Sequence, residues 1–338
     1  MKKRYKKTAI SLIFFDFIIV ICFFFAYGPV NYARDLFITT AMTTMEHKYL
    51  ARTIYTDDMI EKSLNKNYIK EGTENTNASD IVIGSSKEQE NYDSIYEEQI
   101  LKRDPNHPDY KLIELNGSTY KGYLVAMYDP SRVSLQLAPE LGTVGAFLRD
   151  LVTDSGGHIG INASGFEDYN EVGNGGQPTG TIIKDGKIIY GGNNVGSGGG
   201  LAGFNKDNIL VLTRESAQTA ISKGMRDAVE FGPFLIVNGE PAIVKGNGGW
   251  GLAPRTVLAQ RKDGVVIFII IDGRRPGYSI GASMPELINI LTRYKVHNAV
   301  NLDGGASSSL VIDGETVSKP CGYAADGERR IPNGWVFK

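Results

Sequence analysis

Runs and alternations of apolar residues divide this chain into parts that obey different structural rules. Residues 8–27 read TAISLIFFDFIIVICFFFAY and are apolar almost throughout. About 20 such residues, at roughly 1.5 Å per residue, make a helix long enough to cross a bilayer. Residues 28–65 instead carry apolar residues at mixed helical spacings, which predicts a membrane-proximal helical segment.

The pattern changes again after residue 65. Residues 66–106 are polar and acidic with few aliphatic residues, a composition typical of a flexible linker. Only five of the 40 glycines precede residue 140, so the rest of the chain has far more turns. We therefore predict that residues 107–338 form the functional domain.

Asx-Gly turn signals recur within that domain, each between apolar or alternating runs. They are KDG at 184–186, VNG at 237–239, KDG at 262–264 and IDG at 312–314. Asx-Gly pairs tolerate the positive φ that two-residue hairpin loops require, so each signal predicts such a hairpin. The domain should be rich in antiparallel strands.

One segment predicts a different connection. Residues 265–271 (VVIFIII) and 299–302 (AVNL) are continuous apolar runs, and between them SMPELINILTRYK begins with a capping box of Ser283 and Glu286. Strand, helix and strand form a crossover, which makes the two strands parallel if they share a sheet. The predicted fold class is α+β: a mixed, strand-rich sheet domain with hairpins and at least one strand–helix–strand crossover, preceded by an N-terminal transmembrane helix.

This crossover predicts where polar groups gather. Asp272 follows the first run and Asp303 the second, and parallel strands end at the same edge of a sheet, where ligand crevices commonly lie. With a two-residue loop at Asp263-Gly264, Arg255 would lie directly across from Asp272. We expect both carboxylates and Arg255 at one rim.

The stretch after Asp303 reads GGASSS. Gly304 and Gly305 would let a ligand approach the backbone and leave N–H groups free to bind an anion, and Ser307 and Ser308 would add hydroxyl donors. A simple turn is the alternative, because Asp-Gly after a strand is usually only that. The glycine-rich residues 161–180 are open to the same two interpretations, a substrate loop or a solvated turn.

Charge and cysteine content indicate which partners, disulfides and cellular location to expect. Lys and Arg total 36 against 38 Asp and Glu, with a net charge of −2, so nothing indicates a nucleic-acid partner. Cys22 lies in the first apolar run and Cys321 near the C-terminus, so no disulfide is expected within the folded body. The basic residues 1–7 predict a cytoplasmic tail, which makes residues 8–27 a single-pass anchor in the cell membrane and places the domain outside. A cleaved signal peptide is the alternative, but no small-x-small site follows the apolar run.

Several stretches, in this order, resemble the phosphodiester glycosidase family, which has bacterial members described as exopolysaccharide-related. They are INASGF, PTGTIIKDGKII, FGPFLIVNGE, APRTVLAQRKDGVVIFIIIDGR, NLDGGASSSLV and ERRIPNGWVF, from about residue 155 to the end. GASSS stands where the family pattern has a third glycine, and LAQRKDG where a glycine often follows the strand. Both departures leave the acidic residues and the arginine intact, so they bear on substrate choice more than on chemistry.

The resemblance implies a membrane-anchored extracellular hydrolase that cleaves a sugar-1-phosphodiester within a phosphorylated glycan, in cell-surface or exopolysaccharide metabolism. A carboxylate near the anomeric carbon would serve as nucleophile or base, and arginine would bind phosphate oxygens in pairs. The expected site residues fall into a catalytic and a substrate-binding group. The catalytic group is Asp303, Asp272 and Arg255, and the binding group is Asn162, Arg274, Gly304, Gly305, Ser307 and Ser308.

Three alternatives remain open from the sequence. A non-catalytic module that binds surface glycan or teichoic acid would use the same loops without cutting. A serine hydrolase would need a base such as His158 or His297, but no G-x-S-x-G elbow surrounds the serines. No cofactor is required by the sequence, and a divalent metal is conceivable because Asp272 and Asp303 are hard oxygen ligands, although no spacing identifies one.

Overall fold

A computed structural model describes residues 2–44, 47–85, 91–168, 173–194, 199–322 and 324–338 of the chain. Within it the chain forms two compact units. Unit 1 comprises residues Met1–Tyr68 and Val244–Gly251, and unit 2 comprises Ile69–Ile243 and Leu252–Lys338.

Unit 1 is helical. Its helices are α1 (Lys2–Tyr27), α2 (Asn31–Met42), α3 (Lys48–Ile54) and α4 (Asp57–Lys66). α2, α3 and α4 share a small apolar core of Ile38, Ala41, Ala51, Tyr55 and Ile60. The Thr56 hydroxyl caps α4 by accepting a hydrogen bond from the Met59 N–H at 3.3 Å.

α1 covers the apolar run at residues 8–27. Among the residues that the structure describes, no helix is both long enough and apolar enough to span a membrane. The structure therefore does not confirm the predicted transmembrane helix.

Unit 2 is built mainly from strands. Its helices are α5 (Ile95–Leu101), α6 (Leu148–Asp154), α7 (Ala217–Ser222) and α8 (Met284–Arg293). The strands of the chain, in order, are β1 (Tyr68–Lys70), β2 (Tyr110–Asn116), β3 (Lys121–Met127), β4 (Val133–Leu137), β5 (Ile159–Asn162), β6 (Phe166–Glu167), β7 (Gln177–Pro178), β8 (Ile182–Lys184), β9 (Lys187–Tyr190), β10 (Gly200–Asn205), β11 (Leu210–Thr213), β12 (Met225–Phe231), β13 (Phe234–Val237), β14 (Glu240–Pro241), β15 (Ile243–Lys245), β16 (Arg255–Arg261), β17 (Val266–Ile271), β18 (Val296–Asn301), β19 (Leu310–Ile312), β20 (Glu315–Thr316) and β21 (Asn333–Phe337).

Three sheets of unit 2 enclose one core. Sheet A has the order β14-β13-β18-β16-β17-β3-β2, sheet B β11-β10-β12-β8-β9, and sheet C β20-β19-β5-β21-β4. Buried apolar side chains from all three form one cluster, which includes Phe268 of sheet A, Phe204 of sheet B and Trp335 of sheet C. α7 packs on sheet B, α6 on sheet C and α8 against β18 of sheet A. The strand-rich α+β fold class is confirmed.

The predicted crossover is also confirmed. β17 and β18 each pair antiparallel with β16, which lies between them in sheet A. Two strands antiparallel to the same neighbour are parallel to each other, and α8 connects them. The capping box is present: the Ser283 N–H and hydroxyl donate to the Glu286 carboxylate at 2.8 and 2.7 Å.

Three of the four predicted hairpins have the expected two-residue loop, with positive φ at both loop residues. Their loops are Asp185-Gly186, Asn238-Gly239 and Asp313-Gly314. The fourth prediction is wrong. Gln260 pairs with Val266, and the Arg261 N–H bonds the Val265 carbonyl at 3.0 Å, so Lys262, Asp263 and Gly264 form a three-residue loop. Gly264 has φ of +89°, the conformation that ends such loops.

Residues 66–106, predicted to be a linker, include stretches that bond to the sheets of unit 2. The Thr76 N–H donates to the Leu212 carbonyl at 3.0 Å, and the Val82 N–H donates to the Lys262 carbonyl at 2.8 Å. Arg214 forms an ion pair with Glu71 at 2.6 Å. The domain boundary at residue 107 remains a prediction.

Candidate functional site

The candidate site lies at one edge of sheet A. β17 and β18 are parallel and end there, followed by Asp272 and Asp303, and the antiparallel β16 between them begins there with Arg255. The backbone therefore brings the three predicted catalytic residues to the same edge. Their side chains differ in what they contact.

Asp303 lies where sheet A meets sheet C. Its N–H donates to the Ala163 carbonyl at 3.1 Å, and its carbonyl accepts a hydrogen bond from Asn162 Nδ2 at 2.7 Å. The side chain is half-buried, and the Ser307 hydroxyl and the Gly304 N–H donate to its carboxylate. Loss of solvent raises the pKa of Asp303 to about 6, although these donors and the charges of Arg329 and Arg274 oppose the rise.

Asn162 and Ser308, predicted to bind substrate, are buried and bonded to the protein itself. The Asn162 side-chain carbonyl accepts from the Thr256 hydroxyl at 2.8 Å and from the Ser309 N–H at 3.2 Å. The Thr256 and Ser308 hydroxyls are 3.2 Å apart. These contacts join β5, β16 and the turn after Asp303, so they position the carboxylate.

The prediction of free amides at Gly304 and Gly305 is wrong. The Gly304 N–H points at the Asp303 carboxylate, and the Gly305 N–H donates to the Pro254 carbonyl at 3.0 Å. Gly305 has φ of +62°, and a Cβ there would lie 3.1 Å from Arg274 Nη2. A positive φ and the nearby guanidinium therefore both favour glycine at 305. An anion at this turn would meet Arg274 instead of two amides.

Arg274 is an exposed cation at this edge. Its side chain is exposed, yet its guanidinium lies against Gly305 and hydrogen-bonds Cys321. Its φ of +56° is uncommon for a bulky residue. The charge of Arg274 lowers the pKa values of both Asp303 and Arg255, so its guanidinium is near both groups.

Arg255 is near Arg274 but is buried, with only 3% of its surface exposed. Its Nε donates to the Ala282 carbonyl at 3.0 Å. Burial and the neighbouring charge of Arg274 lower the pKa of Arg255 to about 9, with Glu286 opposing the fall, so the group stays charged at neutral pH.

The predicted pairing of Arg255 with Asp272 is wrong by one residue, because the hairpin loop has three residues. Arg255 lies across from Ile271. Facing residues share a face of the sheet and successive residues alternate, so Asp272 is not on the face that carries Arg255.

Asp272 is only 2% exposed, and its carboxylate already has two donors. The Lys319 N–H bonds one oxygen at 2.8 Å and the Tyr278 hydroxyl bonds the other at 3.0 Å. Burial raises its pKa, and those donors oppose the rise. The described residues around Asp272 therefore shield its carboxylate from solvent.

One charged pair near Asp303 is not indicated by the sequence. Arg329 Nη2 bonds Asp168 Oδ2 at 2.6 Å, and the guanidinium lies 4.4 Å from the centre of the Phe166 ring. Its charge lowers the pKa of Asp303. The only sequence signal was the ERR of the C-terminal motif, and nothing local relates Arg329 to a carboxylate 161 positions away.

The alternatives based on histidine and metal receive no support from these positions. His158 is exposed and bonds Asp313 at 3.0 Å, whereas buried His297 lies 3.3 Å from Asp80. His158 precedes β5 and His297 lies near the start of β18, so both are at the ends of those strands far from Asp303. In the described part of the chain, no three His, Cys, Asp or Glu residues are grouped so that they could hold a metal ion.

Known proteins are similar to this chain over the region that contains the candidate site. The model of a family described as phosphodiester glycosidase matches residues 155–338. The SPbeta prophage-derived uncharacterized protein YomE of Bacillus subtilis (strain 168) is 30% identical over 167 residues, 47% of this chain and 25% of that protein. The N-acetylglucosamine-1-phosphodiester alpha-N-acetylglucosaminidase of Bos taurus is 26% identical over 168 residues, 44% of this chain and 32% of that enzyme.

The mouse enzyme of the same name is 25% identical over 245 residues, 64% of this chain and 44% of its own length. The matches thus span less than half of each of these relatives.

Among solved structures, the zebrafish N-acetylglucosamine-1-phosphodiester alpha-N-acetylglucosaminidase catalytic domain, auto-inhibited by its pro-peptide, is similar with a TM-score of 0.57 and 21% identity. The alignment covers 70% of this chain and 85% of that domain, so the fold is shared. The family match takes in more than half of the chain, including Asp272, Asp303, Arg255, Arg274 and Arg329. The chain belongs to the phosphodiester glycosidase family.

Proposed function

We propose that this protein hydrolyses the bond between a sugar's anomeric carbon and a phosphodiester, in a glycan that carries such a linkage. The observation that supports this most is the half-buried Asp303 carboxylate beside the exposed Arg274. A sugar-1-phosphodiester has one fixed negative charge next to a carbon that becomes positive in the transition state. The site offers a cation and a carboxylate in that relation.

Arg274 binds the phosphate in this proposal. Its guanidinium is accessible and can donate two parallel hydrogen bonds to phosphate oxygens. The buried Arg255 adds positive charge that little solvent screens. Together they stabilise the charge that stays on the departing phosphate.

Asp303 faces the anomeric carbon, as nucleophile or as base toward water. With a pKa of about 6 it is mostly ionised at neutral pH, as both roles require. A phosphate is a good leaving group, so a second carboxylic acid is not needed to protonate it. The burial of Asp272 agrees with a single working carboxylate.

The full-length purified protein should release reducing sugar from at least one member of a panel of sugar-1-phosphodiesters. Asp303→Asn should lower kcat by about 10³-fold or more, because it removes the charge opposite the transition state. Asp313→Asn is the matched control: Asp313 also precedes a glycine after a strand, but it pairs with His158 on an exposed turn. That variant should keep wild-type turnover.

Binding of the phosphodiesters without release of sugar by the wild type would contradict hydrolysis and favour a glycan or teichoic-acid binding module. Wild-type turnover in Asp303→Asn would leave hydrolysis standing but remove Asp303 from it.

We also propose that the protein acts at the cell surface, in exopolysaccharide or cell-surface polymer metabolism. The basic residues 1–7 before the apolar run at 8–27 support a membrane anchor with the domain outside. Protease added to intact cells that express the full chain should then digest residues 107–338. Digestion only after lysis would contradict this location.

A further inference from the structure

Two loops at the edge of sheet A are fastened to each other. Residues 272–281 follow β17, and residues 318–321 approach them from the C-terminal part of the chain. The Lys319 N–H donates to Asp272 Oδ1 at 2.8 Å, and Arg275 Nη2 donates to the Pro320 carbonyl at 2.7 Å. Two hydrogen bonds therefore join the loops, and Asp272 is the buried acceptor of one of them.

Tyr278 completes this connection. Its hydroxyl donates to Asp272 Oδ2 at 3.0 Å, and Lys319 Nζ lies 3.9 Å from the centre of its ring. The Ser279 hydroxyl donates to the Asp272 carbonyl at 2.5 Å. Both carboxylate oxygens and the backbone of Asp272 therefore hold loop residues in place.

Arg274 lies between the two fastened residues, Asp272 and Arg275. It has φ of +56°, a conformation that an arginine keeps only where its surroundings impose it. Arg274 itself belongs to the loop 272–281, and its guanidinium bonds the Cys321 sulfur of the loop 318–321 and lies against Gly305 in the turn after Asp303. The place of this guanidinium therefore depends on the two loops being joined.

We propose that Asp272 is a positioning residue, which holds the two loops together so that Arg274 is fixed in place to bind the phosphate of the substrate. This inference rests on the proposed function and assigns the two aspartates of the edge different tasks. Asp303 works on the sugar, and Asp272 works through Arg274. A carboxylate with both oxygens bonded and almost no exposure suits the second task.

The first test uses inorganic phosphate as the probe, measured by calorimetry on the full-length protein. Arg274→Gln removes the cation and should abolish most of the affinity. Asp272→Asn should weaken binding about tenfold, because a mispositioned arginine loses a charge-assisted hydrogen bond. Tyr278→Phe keeps the carboxylate and removes one of its donors, so it should weaken binding by a smaller factor.

The second test is a double-mutant cycle on turnover. If Asp272 acts through Arg274, Asp272→Asn should change KM and kcat in the same direction as Arg274→Gln and by no more than that variant does, and adding it to Arg274→Gln should cause little further loss. Asp227→Asn is the matched control, because Asp227 is also a buried, bonded aspartate but lies on sheet B. It should lower stability and leave phosphate affinity unchanged.

A large fall in kcat with unchanged phosphate affinity in Asp272→Asn would overturn the inference, as would full multiplication of the two effects in the double variant. Absence of phosphate binding by the wild type would overturn it as well. If the wild type cleaves no phosphodiester but binds phosphate, and Asp272→Asn loses that binding, the proposed function fails while the positioning role stands.

Discussion

Asp303 is held in a balance of opposing effects. Burial favours its neutral form, while the Ser307 hydroxyl, the Gly304 N–H and two arginines favour the carboxylate. The result is a pKa of about 6, close enough to neutral for the group to be both ionised and reactive. Because of this balance, the pH dependence of activity should depend on Arg329, and the stability of the folded protein should depend on the charge of Asp303.

The pH dependence of activity should change when Arg329 is replaced. Arg329→Gln removes a charge that lowers the pKa of Asp303, so the acid limb of the kcat/KM profile should move from near pH 6 to higher pH. The adjacent Arg330 serves as control, since it is exposed and donates to the Gly145 carbonyl. A profile that shifts equally in Arg330→Gln, or in neither variant, would contradict this role.

Stability should rise when Asp303 is made neutral. Its pKa is higher in the folded than in the unfolded chain, so the folded state binds the proton more tightly and wild-type stability falls as pH rises from about 4 to about 6. Asp303→Asn escapes this cost and should be about 1–2 kcal/mol more stable at pH 7, after allowance for solvent near the half-buried group. Urea unfolding at pH 4 and pH 7 measures it, and a variant less stable than wild type at pH 7 would contradict it.

At the scale of elements, the start of α8 links the capping box to the arginines. The Glu286 carboxylate accepts from the Ser283 N–H and hydroxyl and from the Thr119 hydroxyl at 3.2 Å. Ala282, just before the cap, accepts the hydrogen bond of Arg255 Nε. The helix start therefore fixes the backbone that holds Arg255, and Glu286 supplies a negative charge near it.

Glu286→Ala should destabilise the protein by about 1–2 kcal/mol, because several donors at the helix start lose their acceptor. Glu286→Gln keeps an acceptor oxygen and should cost less. Urea denaturation of both variants is the measurement. Equal losses would mean that the negative charge matters more than the hydrogen bonds.

Over the whole of unit 2, one core is shared by three sheets, and Trp335 is at the contact between two of them. Trp335 of sheet C is fully buried and packs edge-on against Phe204 of sheet B, with ring centres 5.4 Å apart. Its indole N–H is buried and has no hydrogen-bond partner among the described residues. Trp335 stabilises the core by packing, whereas its unpaired indole N–H costs stability because it is buried without a partner.

Trp335→Ala should therefore cost about 3–5 kcal/mol, the usual range for removal of a large buried aromatic side chain. Trp335→Phe also removes the unpaired N–H. The desolvation cost that is avoided offsets part of the packing energy lost with the smaller ring, so the loss of stability should be about 1 kcal/mol. Thermal and urea unfolding of the two variants test the difference. A similar loss in both would show that the N–H has a partner after all.

The sequence by itself determined the features that depend on neighbouring residues. Three Asx-Gly hairpins, the capping box of α8 and the crossover that leads to Asp303 all follow from short-range conformational preferences and hydrophobic pattern. The same local reasoning failed at Gly264, because two- and three-residue loops both place a positive φ on glycine. Because the loop is one residue longer than predicted, Arg255 lies across from Ile271 and not from Asp272.

Only the tertiary structure decided how the polar groups at the edge are used. It bonded the Gly305 N–H to Pro254, buried Asp272 between two loops, exposed Arg274 and brought Arg329 near Asp303. Each of these contacts joins residues far apart in the chain or depends on which groups lose water. Burial and long-range hydrogen bonding arise only when the sheets pack, so no local pattern contains them.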